Sequence, residues 1–191
     1  YHTDHTADLA ALLFALRNPS YRARGPLSVC AANGLTTIIG HLTAAWPWLD
    51  PCGGYELILD EIDAGPFTLG PLSVTAVGVL HTEQSFAYRI EADGASIAIS
   101  GDSDACNGLI EAASGVDLFV CECSYPDELH VGGHLTPRLA AEAATAAGVT
   151  TLCLTHFYPA CEGHDIQQQA RAAFSGDIVL AEDLAQFDLP R

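Results

Sequence analysis

From residue 95 to residue 180, short apolar runs alternate with amphipathic ones, and this restricts the fold more than any other feature of the chain. Residues 95–100, 117–121, 150–154 and 178–180 read as strands. Between them, residues 105–113, the alanine-rich 136–147 closed by Gly148, and 166–174 read as helices. Strands that alternate with helices build a parallel sheet with helices over it. Upstream, residues 73–80 and 85–91 alternate in polarity, and Ala92-Asp93-Gly94 marks a hairpin into the next strand. Residues 55–59 and 67–69 are further strands. Earlier still come a helix at 7–16 stopped by Asn18-Pro19, a strand at 27–30 and a helix at 35–46. Loops are expected at 21–25 and 46–54. The class is α/β, and 191 residues at 49% apolar content suffice for one core, so a single domain over 1–191 is expected.

Chemistry-bearing side chains fall at the ends of these runs. His81 follows the strand at 73–80, Asp102 the strand at 95–100, and His156 the strand at 150–154. His134 lies in the loop before the helix at 136–147. Open α/β sheets gather their sites at such strand ends. At the start of the chain His2, Asp4 and His5 sit within four positions, just ahead of a helix that Thr3 or Thr6 can cap. Imidazole with carboxylate suits zinc, iron or manganese, whereas calcium takes oxygen alone. Each residue has an ordinary alternative. Asp102 or Ser103 can cap the following helix, His81 can end a strand at the surface, His156 can close one with a backbone hydrogen bond, and His134 can be a loop tip. Glu122, inside an apolar strand, needs a buried partner. His41 reads as satisfied or solvent-facing, and His130 and His164 as solvent-facing. Taken in order, His2, Asp4, His5, His81, Asp102, His134 and His156 can converge on one pocket.

Charge limits the partners. Seven Lys and Arg against 24 Asp and Glu give a formal net charge of -17. Such a surface repels polyphosphate and disfavours a large nucleic-acid footprint. A small anion remains compatible, because bound divalent cations invert the local field. Seven scattered cysteines, an odd number, read as free thiols of a reducing, cytoplasmic setting. Cys121-Glu122-Cys123 is too tight for a structural zinc pair and reads as packing. No signal peptide is expected, and the residues hold no apolar run of membrane-spanning length.

In series, these residues resemble the metallo-β-lactamase superfamily, and within it the ribonuclease Z-like phosphodiesterase branch. Tyr1-His2-Thr3-Asp4-His5 is similar to the last five positions of the family's His-x-His-x-Asp-His motif. His81, followed by Phe86-Ala87-Tyr88-Arg89-Ile90, resembles the next ligand and the strand after it. Ile97-Ala98-Ile99-Ser100-Gly101-Asp102-Ser103 resembles the strand whose aspartate bridges two metals. Cys121-Glu122-Cys123-Ser124 is similar to the branch's His-Glu-Ala-Thr, Gly133-His134-Leu135-Thr136 to its Gly-His-Ser-Thr, and Leu154-Thr155-His156 to its last ligand. The match runs from Tyr1 to about Tyr158.

The resemblance implies a four-layer αβ/βα sandwich, with the family's N-terminal strands and first motif histidine lying ahead of Tyr1. It implies two divalent ions, zinc first with manganese or iron as alternatives. His2, His81 and Asp102 would hold one ion, and Asp4, His5, His156 and Asp102 the other. Asp4, His134 and Glu122 form the implied catalytic set, His134 stabilising the transition state or protonating the leaving oxygen while Glu122 orients it. The implied activity is hydrolysis of a small phosphodiester, a cyclic nucleotide or cyclic sugar phosphate, by a hydroxide shared between the metals. Ribonuclease Z enzymes carry a tRNA-gripping arm between the counterparts of His81 and Asp102, where this chain has a bare hairpin. Hydrolysis of a thioester or lactone on the same scaffold is the alternative reaction. A non-catalytic module with a defective metal site is the alternative outside enzymes. A homodimer is compatible with the family.

Overall fold

A computed structural model describes residues 1–18, 20, 25–49 and 55–190. The 21–24 part of the loop expected at 21–25 and the 50–54 part of the second loop lie outside the described residues. Two compact units make up the chain, Tyr1–Asp63 and Ala64–Arg191.

The first unit contains α1 (Thr3–Ala15), β1 (Leu27–Ala32), α2 (Leu35–Ala45), a 3-10 turn at Pro47–Leu49 and β2 (Leu57–Ile62). Strands β1 and β2 pair in parallel, Leu27 opposite Leu57 and Ala32 opposite Ile62, which requires the crossover that α2 supplies. Leu13, Leu35, Ile39 and Leu49 form its buried core. Gly34, at φ 110, opens α2 and has no side chain to cap it. Glu61, near the end of β2, does so from across the unit: its Oε1 accepts from the amides of Gly34 (3.2 Å) and Thr36 (2.9 Å). The Thr36 amide holds the Glu61 carboxyl below its usual range, against a smaller opposing effect of desolvation.

Helix α1 begins at Thr3, four residues before the expected start, and neither threonine caps it. His2 takes the N-cap position in extended conformation with no side-chain cap bond. Thr6 instead turns its hydroxyl back to the His2 carbonyl at 3.0 Å, a bond within the helix that extends it rather than starting it. Asp4 thus sits in the first turn, where the exposed amide dipoles favour a carboxylate.

The second unit carries a seven-stranded sheet in sequence order: β3 (Gly65–Leu69), β4 (Leu72–Gly78), β5 (Phe86–Ala92), β6 (Ala95–Ile99), β7 (Leu118–Glu122), β8 (Thr151–Thr155) and β9 (Asp177–Leu180). Hairpins join β3 to β6, so those pairs are antiparallel. From β6 onward α3 (Asn107–Ala112), α4 (Pro137–Ala147) and α5 (Ile166–Arg171) intervene, and the pairs become parallel. Strands β4, β6, β7 and β8 therefore run the same way and end at one edge.

Strand β7 is buried along nearly its whole length, which is why its sequence is an apolar run without alternation. Helix α4 covers the sheet with a face of Ala140, Ala141, Ala144 and Ala147, and small side chains allow close approach. Thr136 caps it, accepting from the Leu139 amide at 3.4 Å, and Gly148 at φ 68 ends it, as its sequence requires. Helix α3 lies so close to the exit of β4 that a Cβ on Gly108 would come within 2.1 Å of the Gly78 carbonyl oxygen. It begins at Asn107 rather than 105, with Cys106 at its N-cap position, so Asp102 and Ser103 are not its caps. Helix α5 stops at Arg171 rather than Phe174 because its last turn tightens, the Ala173 amide reaching the Ala170 carbonyl at 3.0 Å.

The six described cysteines form no disulfide, and Cys121 and Cys123 are core packing residues as expected. Burial pushes the thiols of Cys121, Cys123, Cys153 and Cys161 up. Among the described residues no helix is long and apolar enough to cross a membrane.

Candidate active site

In the first unit His2, Asp4 and His5 cluster at the start of α1, with His5 Nε2 3.5 Å from Asp4 Oδ2. The remaining site candidates come together in the second unit, at the edge where β4, β6, β7 and β8 end. His81 lies three residues past β4, Asp102 three past β6, Glu122 closes β7, and His156 follows β8 directly. His134 stands in the β7–α4 loop, two residues before the Thr136 cap. His156 adopts φ 62, in the left-handed region where a residue with a Cβ is strained. Such strain persists where the surroundings over-determine it, and it concentrates at functional sites.

Asp102 is 7% exposed and lies between two imidazoles. Its Oδ1 is 3.5 Å from His156 Nε2 and its Oδ2 3.8 Å from His81 Nε2. These distances exceed those of a hydrogen bond. A metal ion at its usual distance from nitrogen and oxygen would hold such atoms about 3.3 Å apart.

His81 Nδ1 lies 2.8 Å from the Gly133 carbonyl, which can only accept, so Nδ1 carries the proton. The single Ser124 proton goes to Glu122 Oε2 at 2.7 Å. Ser124 Oγ must then accept from His156 Nδ1 at 2.9 Å and from His134 Nδ1 at 3.1 Å. His134 Nδ1 also donates to Glu122 Oε1 at 3.0 Å. All three rings carry a proton on Nδ1 and, when neutral, present Nε2 as an acceptor. When neutral, Nε2 of His81 and of His156 faces the Asp102 carboxylate as an acceptor, a geometry that a shared cation or a second ring proton would satisfy. Side chains that fix a histidine's far nitrogen in this way are the usual support of a metal ligand.

Glu122 is 2% exposed and fully satisfied. Oε1 accepts from the Ser103 amide (3.0 Å) and His134, and Oε2 from the Ser124 amide (3.1 Å) and hydroxyl. Glu122, His134 and His156 offer ligand atoms within 4.8 Å of one another. Those atoms are already committed to this network, so we assign the group as hydrogen-bonded support for the site. The His134 ring is enclosed by His81, His156, Tyr125 and Tyr158, with centroids 5.0, 6.0, 5.9 and 5.7 Å away. Tyr158 also walls a cavity of about 380 Å³ formed with Phe157, Pro159, Cys161, Glu162, Ile166 and Leu180.

Two residues here were not singled out from sequence, Ser124 as the shared hydroxyl and Asp104, while His130 is exposed as expected. Asp104 Oδ1 lies 3.1 Å from His130 Nε2, and Oδ2 accepts from the Gly133 amide at 3.1 Å. Burial acts to raise the Asp104 carboxyl, and the Gly133 and Ala105 amides with His130 outweigh it, leaving it below its ordinary value. The second aspartate in Gly-Asp-Ser-Asp was the available signal.

Residues 1–157 match the model of the β-lactamase superfamily domain. The chain is 33% identical over 185 residues to an uncharacterized protein of Mycobacterium tuberculosis, which covers 93% of this chain and 66% of that protein. It thus spans just under two thirds of that relative's length. A ribonuclease Z of Nocardia farcinica is 41% identical over 104 residues, 51% of this chain and 33% of that enzyme. Among solved structures, the metallo-β-lactamase fold protein YhfI of Bacillus subtilis superimposes with a TM-score of 0.79 at 24% identity, over 95% of this chain and 71% of that one. The α/β architecture is that of the metallo-β-lactamase fold, and the chain belongs to the β-lactamase superfamily domain family.

Proposed function

We propose that the protein is a metal-dependent hydrolase that cleaves a small phosphodiester, of the cyclic nucleotide or cyclic sugar phosphate class. One observation carries the reading: the Asp102 carboxylate lies between Nε2 of His81 and Nε2 of His156, with the Glu122-held His134 beside both. In the ligand scheme implied by the sequence motifs, His2, Asp4 and His5 join these three residues to hold two divalent ions, zinc first, and Asp4 also belongs to the catalytic set. When bound, the ions would activate water and neutralise charge on the phosphoryl oxygens.

The protein's own groups divide the remaining work. His134, fixed through Nδ1, presents Nε2 and can carry the proton that a leaving alkoxide needs. Glu122 accepts from that ring's Nδ1 and fixes its orientation, and the Tyr125 and Tyr158 rings flank it. A ribonuclease Z among the relatives supports phosphodiester chemistry. The bare β5–β6 hairpin between His81 and Asp102, together with the charge of -17, supports a small anionic substrate over tRNA. The Glu122–His134 pair favours a diester over a thioester, because it supplies the acid that an alkoxide leaving group requires and a thiolate does not.

The test uses the full-length natural protein, loaded with zinc or manganese, on a panel of a 3′,5′-cyclic nucleotide, bis-p-nitrophenyl phosphate, an acyl thioester and a lactone. Chelator-sensitive turnover of the diesters is expected. Turnover confined to the thioester or lactone would overturn the substrate class.

A further inference from the structure

Asp104 sits where the turn leaving β6 meets the loop that carries His134. Its Oδ1 accepts from the Ala105 amide at 2.7 Å and faces His130 Nε2, while its Oδ2 accepts from the Gly133 amide. Its backbone is anchored independently. The Asp104 amide donates to the Leu80 carbonyl at 2.9 Å, and the Leu80 amide donates to Ser103 Oγ at 3.2 Å. Gly133 passes the restraint on, since its carbonyl accepts from His81 Nδ1 and the next residue is His134. The His134 amide closes the turn on the Val131 carbonyl at 3.1 Å. One residue therefore ties together three segments: its backbone holds the exit of β4, and its carboxylate joins the exit of β6 to the His134 loop.

We propose that Asp104 is a positioning residue, a clasp on the His130–Gly133 turn that sets the His81 ring and holds His134 in register with Glu122. An exposed Asp–His pair by itself contributes little. The Asp104 side chain is 18% exposed, and two of its three partners are backbone amides, whose geometry it fixes. An asparagine cannot replace it. Asparagine has one accepting oxygen, so either Gly133 or the Ala105–His130 side would face a donor. The kinetic consequence rests on the phosphodiesterase reading; the clasp itself does not.

The experiment compares Asp104→Asn and His130→Ala with the wild-type full-length protein by two readouts. Amide exchange measured by NMR at Gly133, with Ala140 in α4 as control, reads the clasp directly. In Asp104→Asn the Gly133 amide should exchange about tenfold faster or more, with Ala140 unchanged. His130→Ala, which removes only the outer arm, should give a smaller change in the same direction and serves if Asp104→Asn does not fold. The second readout is the ratio of turnover on a 3′,5′-cyclic nucleotide to that on bis-p-nitrophenyl phosphate. The first needs a proton on its leaving alkoxide, and the second does not. At saturating zinc and below the variant's Tm, loss of His134 register should lower this ratio about tenfold, an effect of the size that supporting residues commonly have. Unchanged exchange at Gly133 would overturn the clasp. Faster exchange with equal losses on both substrates would overturn the positioning role. A wild-type protein that cleaves neither diester would defeat the phosphodiesterase reading, and the exchange result would then decide the clasp alone.

Discussion

The Ser124 hydroxyl lies 2.9 Å from Nδ1 of His156 and gives its own proton to Glu122, so one oxygen links a candidate metal ligand to the His134 support. Ser124→Ala should lower zinc affinity about 10- to 100-fold, the cost of losing a ligand's outer hydrogen bond. Ser124→Thr, which keeps the hydroxyl, should restore most of it. Competition with a zinc chelator measures both, and unchanged affinity in Ser124→Ala would contradict the proton assignment.

Glu122 makes a second prediction. Its four acceptor contacts cannot be matched by glutamine, whose amide nitrogen would face either the Ser103 amide and His134 or the Ser124 donors. Glu122→Gln should cost about 1–3 kcal/mol of stability, the penalty for buried groups left unsatisfied. It should also lower kcat on an alkoxide-leaving diester about 100-fold with little change in KM. Denaturant unfolding and steady-state kinetics check the two separately.

Gly133 has φ 90, and a Cβ there would approach His81 Nδ1 to 3.2 Å. Gly133→Ala should therefore destabilise by about 1–2 kcal/mol from the left-handed conformation alone. It should also displace the His81 ring and weaken metal binding. Calorimetric unfolding with a zinc titration would show both effects, and Gly115→Ala, at φ 63 with nothing within 4 Å, is the control for backbone strain without the contact.

The buried thiols set a pH dependence. Cys121, Cys123, Cys153 and Cys161 have folded-state pKa values raised by burial above those of the unfolded chain. Their contribution is complete below the unfolded value of about 8.5 and is lost as pH rises above it, because only the unfolded state then ionises. Denaturation midpoints should fall between about pH 8 and pH 10. Replacing Cys121 and Cys153 with alanine should flatten that fall, although the truncation lowers stability at every pH.

Much of this could be read in the sequence, and the gaps have physical causes. The β-α-β-α-β order and the Thr136 to Gly148 helix were legible because periodicity and capping agree there. Glu122 stood out because an apolar strand cannot bury a carboxylate without partners, and four donors meet it. The start of α1 was misplaced because Thr6 bonds backward within the helix, a choice that its residue type leaves open. The roles of Ser124 and Asp104 were not legible because each acts on residues distant in sequence, His156 and Gly133 respectively, and no local spacing encodes those partnerships. His130 is exposed as expected, and only its contact with Asp104, 26 positions away, was not legible.

The most direct test of the account is metal stoichiometry by elemental analysis on the full-length natural protein, comparing wild type with Asp102→Ala. Two divalent ions per chain in the wild type, lost together with diester turnover in Asp102→Ala, is the expected result. A wild-type protein that holds no metal when supplied with zinc or manganese, or an Asp102→Ala protein that retains its full complement, would contradict the assignment of Asp102, His81 and His156 as a metal site.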